Sequence, residues 1–245
     1  MNINSKILPI SNSFLMILFF FPSIYFFVLT RFLLPYLNDN SGLLFSINWF
    51  ICGFLIFIPL FVLATFLIYK DGFTNKKQII KRLRLQKVTK KDWKYIIIST
   101  ISIFVLMLLI MGASKILNQM YGIKEIQTTP PFMKATVFIG WEKLYLLIWA
   151  VMFFFNIYGE ELLWRGYILT RQEITMKNKG WVVNSLLWLV FHFSFGLDLL
   201  ILLLPIIFIL PYSVYKTKNT NVGIIIHALI NGPSFILISL GIIGQ

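Results

Sequence analysis

Long apolar runs separated by short polar links dominate the chain. The runs occupy approximately residues 13–34, 46–69, 95–114, 142–169, 181–195, 199–215 and 222–243. A helix needs about 20 predominantly apolar residues to cross a bilayer, and most of these runs meet that length. The pattern predicts an all-α fold, a polytopic transmembrane helical bundle of about seven spans.

Several runs predict irregular helices. Run 142–169 is longer than a perpendicular crossing requires, so we expect it to be tilted, bent or split. Runs 181–195 and 199–215 are short for full crossings. In the first run Pro22 predicts a tolerated kink, and Pro35 with the polar residues after it predicts a turn of the chain.

The basic residues predict the orientation of the bundle. The link between the second and third runs contains ten Lys and Arg against only Asp71 and Asp92. By the positive-inside rule this link lies in the cytoplasm, with the amino terminus inside and the carboxyl terminus outside. The first run is longer than a signal-peptide core and lacks a clear cleavage site, which predicts a retained membrane helix. Recognition of an anionic lipid or partner is the alternative use of the link.

Composition narrows the class of protein. The chain is 58% hydrophobic and carries a formal charge of +13. The basic residues cluster in the links, where lipid headgroups lie, and no nucleic-acid recognition motif accompanies them, so we expect no nucleic-acid partner. The single cysteine, Cys52, allows no disulfide within the chain and argues against a thiolate cluster. We predict one membrane domain over residues 1–245, in a plasma membrane, and the composition indicates a bacterial one.

The segment 156–169 contains three ionisable residues inside an apolar run, namely Glu160, Glu161 and Arg165. Each charge at a helix centre costs roughly 2.5 to 3.5 kcal/mol on insertion scales, so three unpaired charges cost on the order of 10 kcal/mol. They must therefore be paired, neutralised or hydrated. Ionisable residues at this depth predict a functional site.

Further polar residues in other runs lie at a similar depth. Helix rise from the cytoplasmic ends places Glu160, His192 and Asn231 each roughly 15 to 17 Å into the membrane, and His227 about 9 Å. His192 and His227 are the only two histidines of the chain. The matched depth predicts that groups from three helices meet.

The spacing of these residues suggests how they act. Glu161 and Arg165 are four apart, so they share a helix face and can form an ion pair. Glu160 points about 100° away, free to act as a general base that holds a water with His192. His227 and Asn231 are also four apart, and their donors suit an oxyanion.

At these residues the sequence resembles the CPBP family of intramembrane proteases, which includes the type II CAAX prenyl endopeptidases and bacteriocin-processing or immunity-associated (Abi-like) proteins. The first motif reads Glu160-Glu161-Leu-Leu-Trp-Arg165, and the last reads His227-Ala-Leu-Ile-Asn231. The middle motif, Phe-x-x-x-His in the family, has Trp188 in place of Phe before His192. The resemblance covers roughly residues 140–235 and implies that this segment is the catalytic core.

The resemblance implies peptide-bond hydrolysis without a covalent intermediate. Glu160 and His192 would activate the water, His227 and Asn231 would stabilise the oxyanion, and Glu161 with Arg165 would support the site. We therefore predict a glutamate-type endopeptidase that needs no cofactor. Its substrate would be a peptide or membrane-associated protein, and a prenylated CAAX end, a bacteriocin leader and a quorum-sensing precursor all remain open.

Three alternatives follow from the same residues. Two histidines and a glutamate can bind zinc, although no His-Glu-x-x-His helix is present. A non-catalytic immunity or regulatory protein would use the polar cluster only to hold the bundle together. A transporter would use it as a proton relay, but the chain has no internal repeat with paired broken helices.

Overall fold

The computed structural model describes residues 7–134 and 136–242, and these residues form helices and connecting loops with no β-strand. The α-helices are α1 (Asn12–Val28), α2 (Leu34–Asn40), α3 (Phe45–Lys70), α4 (Lys76–Arg82), α5 (Lys90–Tyr121), α6 (Tyr145–Glu160), α7 (Thr170–Met176), α8 (Gly180–Phe191), α9 (Leu197–Thr217) and α10 (Thr220–Ser239). The predicted all-α, polytopic bundle is confirmed.

Six helical stretches in the described residues are long and apolar enough to cross a membrane. The fourth stretch, Gly140–Phe191, contains two of the seven predicted runs, because a short 3-10 helix at Lys177–Lys179 joins α7 to α8. Helix α5 extends well beyond the predicted run 95–114 at both ends. The predicted last run ends at 243, outside the described residues, and α10 itself ends at Ser239.

The predicted turn falls on the polar residues that follow Pro35, and only the part of the prediction that assigned the turn to Pro35 itself is wrong. The first helix changes to a π-helical turn at Leu29–Leu33 and continues as α2 to Asn40. Pro35 lies in the first turn of α2, where a missing backbone N–H is tolerated. The turn of the chain follows Asn40, at Gly42, whose φ of 67° is a left-handed conformation that glycine adopts readily.

The predicted irregularity of run 142–169 is a change of helix type. Helix α6 ends at Glu160, and residues Glu161–Leu169 form a π-helix before α7 begins. Every residue of the π-helix is buried. Because π-helical segments in proteins are often found at functional sites, this one indicates a functional site at the centre of the bundle.

Hydrogen bonds to the connecting segments define the two ends of the bundle. The loop of residues 122–139, without residue 135, is bonded to the start of α9 through Gln127 and Asp198 and to the end of α10 through Phe138 and Ser239. We call this the loop end. At the other end, which we call the link end, the basic link of residues 71–89 bonds to Thr220 at the start of α10.

Candidate active site

Glu160 is the last residue of α6 and is almost completely buried, yet both of its carboxylate oxygens have donors. Asn156 Nδ2 donates to Oε1 over 2.8 Å. Trp188 Nε1, from α8, donates to Oε2 over 2.7 Å. Hydrogen bonds to the charged form of a carboxylate stabilise it and fix its orientation, so Glu160 is held in one position.

Glu161 points away from Glu160 and is bound by two basic side chains. Its Oε1 lies 3.2 Å from Arg165 Nη1 and 3.0 Å from His227 Nδ1. Glu161 and Arg165 are fully buried, and His227 is only 1% exposed. The ion pair expected from the four-residue spacing is present, and it includes a histidine from α10 that the sequence did not assign to it.

The backbone at Gly223 makes room for Glu161. A Cβ at this position would lie 2.5 Å from Glu161 Oε2 and 2.8 Å from Val214 Cγ2. Both distances are shorter than real Cβ contacts allow. Helix α10 can therefore approach the π-helix closely enough for His227 to bond Glu161 only because residue 223 has no side chain.

Trp188 contacts both Glu160 and Arg165, which is the ion-pair partner of Glu161. Its indole nitrogen bonds Glu160, and the guanidinium carbon of Arg165 lies 3.6 Å from the centroid of its ring. A guanidinium over an indole face is favourable, and more so when both groups are desolvated. From the sequence we noted only that Trp188 replaces the Phe of the family motif, so the hydrogen bond to Glu160 was missed.

The position of His192 determines which of its nitrogens carries hydrogen. Its Nδ1 lies 2.9 Å from the carbonyl oxygen of Trp188. A carbonyl only accepts, so Nδ1 must be the donor, and Nε2 of the neutral ring is left as an acceptor. The same reasoning applies to His227, whose Nδ1 faces a carboxylate.

One cavity of about 310 Å³ joins the predicted catalytic residues. Glu160, His192, His227 and Asn231 all line it, together with Asn156 and Trp188. Glu161 and Arg165 do not line it and lie behind Glu160 and His227. The six residues named from the sequence therefore divide into four that face the cavity and two that support them.

The sequence missed Asn156 as well as Trp188. Asn156 lies four residues before Glu160, so the spacing argument that paired Glu161 with Arg165 applies to it equally. The four-residue spacing could therefore have predicted this hydrogen bond from the sequence. The sequence also placed His227 at a different depth from Glu160, and in the structure the two line the same cavity.

The geometry of metal ligands is a separate matter. Among residues 7–134 and 136–242, no group of three or more His, Cys, Asp and Glu side chains is arranged to hold a metal ion. His227 is bonded to Glu161 through Nδ1, and His192 to a backbone carbonyl. Zinc therefore stays an alternative for solution measurement.

The chain was compared with known proteins. The family model of type II CAAX prenyl endopeptidase Rce1-like proteins matches residues 140–232. No match was found among the curated proteins or among the solved structures. The family match confirms the resemblance seen in the sequence over that segment, which contains all six residues named for the site.

Proposed function

Because residues 140–232 match the Rce1-like type II CAAX prenyl endopeptidases, a family of proteases, we propose that this multi-pass membrane protein is an intramembrane glutamate-type endopeptidase. One observation carries the proposal. Glu160 at the end of α6, His192 directly after α8, and His227 and Asn231 of α10 line one cavity inside the bundle.

The proposed reaction is direct hydrolysis of an amide. A water held between Glu160 and Nε2 of His192 adds to the amide carbon and gives one proton to the Glu160 carboxylate. The proton then passes to the leaving nitrogen as the carbon–nitrogen bond breaks. The products are a carboxylic acid and an amine, and no bond between enzyme and substrate forms.

His227 and Asn231 are proposed to stabilise the oxyanion. Asn231 offers its amide hydrogens. His227 donates its Nδ1–H to Glu161, so its Nε2 can donate as well only when the ring is an imidazolium. Preorganised donors of this kind commonly contribute about 10²- to 10³-fold to rate.

Glu161 and Arg165 are proposed to support the site without touching the substrate. Arg165 fixes Glu161 through the ion pair and packs on Trp188, which in turn holds Glu160. The pair thus orients a residue on each side of the cavity. Removing either partner would leave an uncompensated buried charge.

The substrate is proposed to be a peptide or a membrane-associated protein, and the bilayer is the other partner. A prenylated CAAX end, a bacteriocin leader and a quorum-sensing precursor are all compatible with hydrolysis in an apolar cavity. We place the basic link in the cytoplasm, by the positive-inside rule, and the loop end outside.

A non-catalytic immunity or regulatory protein is the second candidate. The Arg165–Glu161–His227 cluster is the observation that favours this candidate. The three side chains are fully or almost fully buried and join α10 to the π-helix, as a purely structural polar cluster would. In that case the carboxylate of Glu160 has no chemical task.

A cleavage assay on purified protein separates the two. Candidate peptides are incubated with the parent chain, Glu160→Ala and His192→Ala, and the products are identified by mass spectrometry. The proposal expects cleavage by the parent chain and loss of cleavage in both variants while their thermal unfolding still shows a folded bundle. Equal cleavage by folded variants would remove it.

A further inference from the structure

We propose that substrate reaches Glu160 from the loop end of the bundle, and that the basic link closes the opposite end. The inference rests on the proposed function only in calling the incoming molecule a substrate. Which end of the bundle is open does not depend on that function. It restricts the substrate class to an apolar peptide segment presented at the membrane face opposite the basic link.

The first observation is the distribution of cavity-lining residues along each helix. On α6 they run from Trp149 to Glu160, and on α10 from His227 to Phe235. On α9 they run from Leu199 to Ile207. All three ranges lie on the loop-end side of the catalytic residues or level with them, so the cavity extends from Glu160 towards the loop end.

The second observation is what lies at that end. Thr128, Pro130 and Met133 of the 122–139 loop form part of the cavity wall. A second cavity, of about 620 Å³, adjoins the first and shares four wall residues with it, namely Pro130, Met133, Phe195 and Leu199. Its other walls include Lys124, Gln127 and Asp198, which are polar. A cavity with partly polar walls, which we call the vestibule, therefore lies next to the apolar cavity at the loop end.

The third observation is a packed layer on the link side of the catalytic residues. Arg165, Trp164, Leu210, Val214 and Ile226 have no exposed surface. Trp164 stacks on Phe19 with ring centroids 4.3 Å apart. A peptide cannot pass this layer unless side chains from four helices separate.

The basic link adds a second seal beneath that layer. Arg82 Nη1 donates to the Gly166 carbonyl and to Thr170 Oγ1, so α4 lies directly against the π-helix. A Cβ at Gly166 would lie 2.8 Å from Leu83 Cδ2, which shows how closely the link packs. Burial, with Arg171 nearby, lowers the pKa of Arg82 to about 10.

Ion pairs hold the link in this place. Glu173 of α7 binds Arg84 over 2.9 Å and Lys218 over 2.8 Å, so one carboxylate joins the link to α7 and to the end of α9. Thr220 donates its hydroxyl to the Leu83 carbonyl over 2.6 Å. The link is therefore part of the folded bundle and covers its end.

The cavity wall indicates what the segment would look like. Between the vestibule and Glu160 the wall is formed mainly by apolar side chains, including Trp49, Met107, Trp149 and Met152. A volume of about 310 Å³ suits a short stretch of peptide with apolar side chains. A peptide tail that approaches from the link side would meet the sealed end.

Cysteine labelling measures the open side without any need for cleavage. Cys52 is fully buried, so the unsubstituted chain serves as the blank. Asn231→Cys places a thiol in the cavity, Gln127→Cys marks the loop end and Lys77→Cys marks the link end. Each variant is treated with a charged, membrane-impermeant maleimide in intact cells and in inverted membrane vesicles.

The proposal expects Asn231→Cys to be labelled from the side that labels Gln127→Cys. It expects no labelling of Asn231→Cys from the side that labels Lys77→Cys. Ser234→Cys, one turn closer to the loop end, should give the same result if Asn231→Cys folds poorly. Labelling of the cavity from the Lys77→Cys side would overturn the proposal. So would labelling only by a lipid-soluble maleimide, which would indicate entry between helices.

A second measurement tests the substrate itself. In proteoliposomes of one orientation, an apolar peptide should be cleaved when supplied at the loop end and spared when supplied at the link end; the reverse result would contradict the proposal. If no peptide is cleaved from either side, the proposed hydrolysis fails, while the labelling result still decides which end is open.

Discussion

The indole nitrogen of Trp188 lies 2.7 Å from Oε2 of Glu160, while the face of the same ring covers the guanidinium of Arg165. Trp188 thus contacts both the proposed general base, Glu160, and Arg165, the cation paired with Glu161. The family resemblance puts Phe at this position, so the hydrogen bond to Glu160 is a feature of this chain. It is open to a direct test.

Trp188→Phe keeps an aromatic ring over Arg165 and removes the donor to Glu160. A hydrogen bond to a charged group contributes about 1.5 to 3 kcal/mol, so we expect kcat for peptide cleavage to fall about 10- to 100-fold. KM should change little, because the indole N–H is bonded to Glu160 and is not free for the substrate. Steady-state kinetics on purified protein measures both.

Trp164→Phe is the matched control for that variant. Trp164 is equally buried and stacks on Phe19, but it has no contact with Glu160 among its described interactions. Its replacement should lower the thermal unfolding temperature and leave kcat within a few-fold. Equal losses of kcat in the two variants would mean that Trp188 acts only through packing.

Glu161→Gln should damage stability more than any catalytic substitution. The change leaves the fully buried Arg165 without its carboxylate, and breaking a buried pair commonly costs about 3–5 kcal/mol. The thermal unfolding temperature in detergent is the readout. The double variant Glu161→Gln/Arg165→Met should recover part of the loss, and no recovery would argue against the ion pair as the cause.

Gly159→Ala tests the contact that positions Glu160. A Cβ at Gly159 would lie 2.7 Å from the Phe57 carbonyl oxygen of α3, so α3 and α6 must separate. Overpacking of this kind costs about 1–3 kcal/mol, and the shift of α6 should also reduce cleavage.

Gly112→Ala is the control for the same substitution in another helix. Gly112 lies in α5 and nothing in the structure lies within 4 Å of a Cβ added there. Alanine is the better helix former by about 1 kcal/mol, so the unfolding temperature should stay the same or rise. A similar fall for both variants would show that the backbone contact is not responsible.

Chelation distinguishes water activation by Glu160 from a zinc mechanism. We expect cleavage to persist in the presence of a strong chelator and metal analysis of the purified protein to find no stoichiometric zinc. Loss of activity on chelation, with recovery on adding zinc, would favour the metal alternative. The same protein after chelation should unfold at an unchanged temperature.

The helix positions and the polar site residues could be predicted from the sequence. A membrane-spanning helix appears as a long apolar run, and a polar residue inside such a run is easy to recognise. The helix before Glu160 follows from the apolar run, and the pairing of Glu161 with Arg165 follows from their four-residue spacing. Membrane burial makes each charged residue costly, so such residues stand out against an apolar background.

Other features depend on contacts between distant parts of the chain. The bond from His227 to Glu161 requires the close approach at Gly223, and nothing in the sequence indicates which helix faces Gly223. The π-helix at Glu161–Leu169 likewise arises from packing. Pro35 was misread because the preceding π-helical turn places it in a tolerant first turn.

The most direct test of the account is the rate of peptide cleavage by Glu160→Gln. Glutamine keeps the size of the side chain and can still accept the hydrogen bond from Trp188, and a turned Asn156 amide can accept from the new NH2 group, but glutamine cannot take a proton from water. A positioned general base contributes about 10²- to 10⁴-fold, so cleavage should fall by that factor with an unchanged unfolding temperature. A folded Glu160→Gln protein that cleaves at the parent rate would contradict the account.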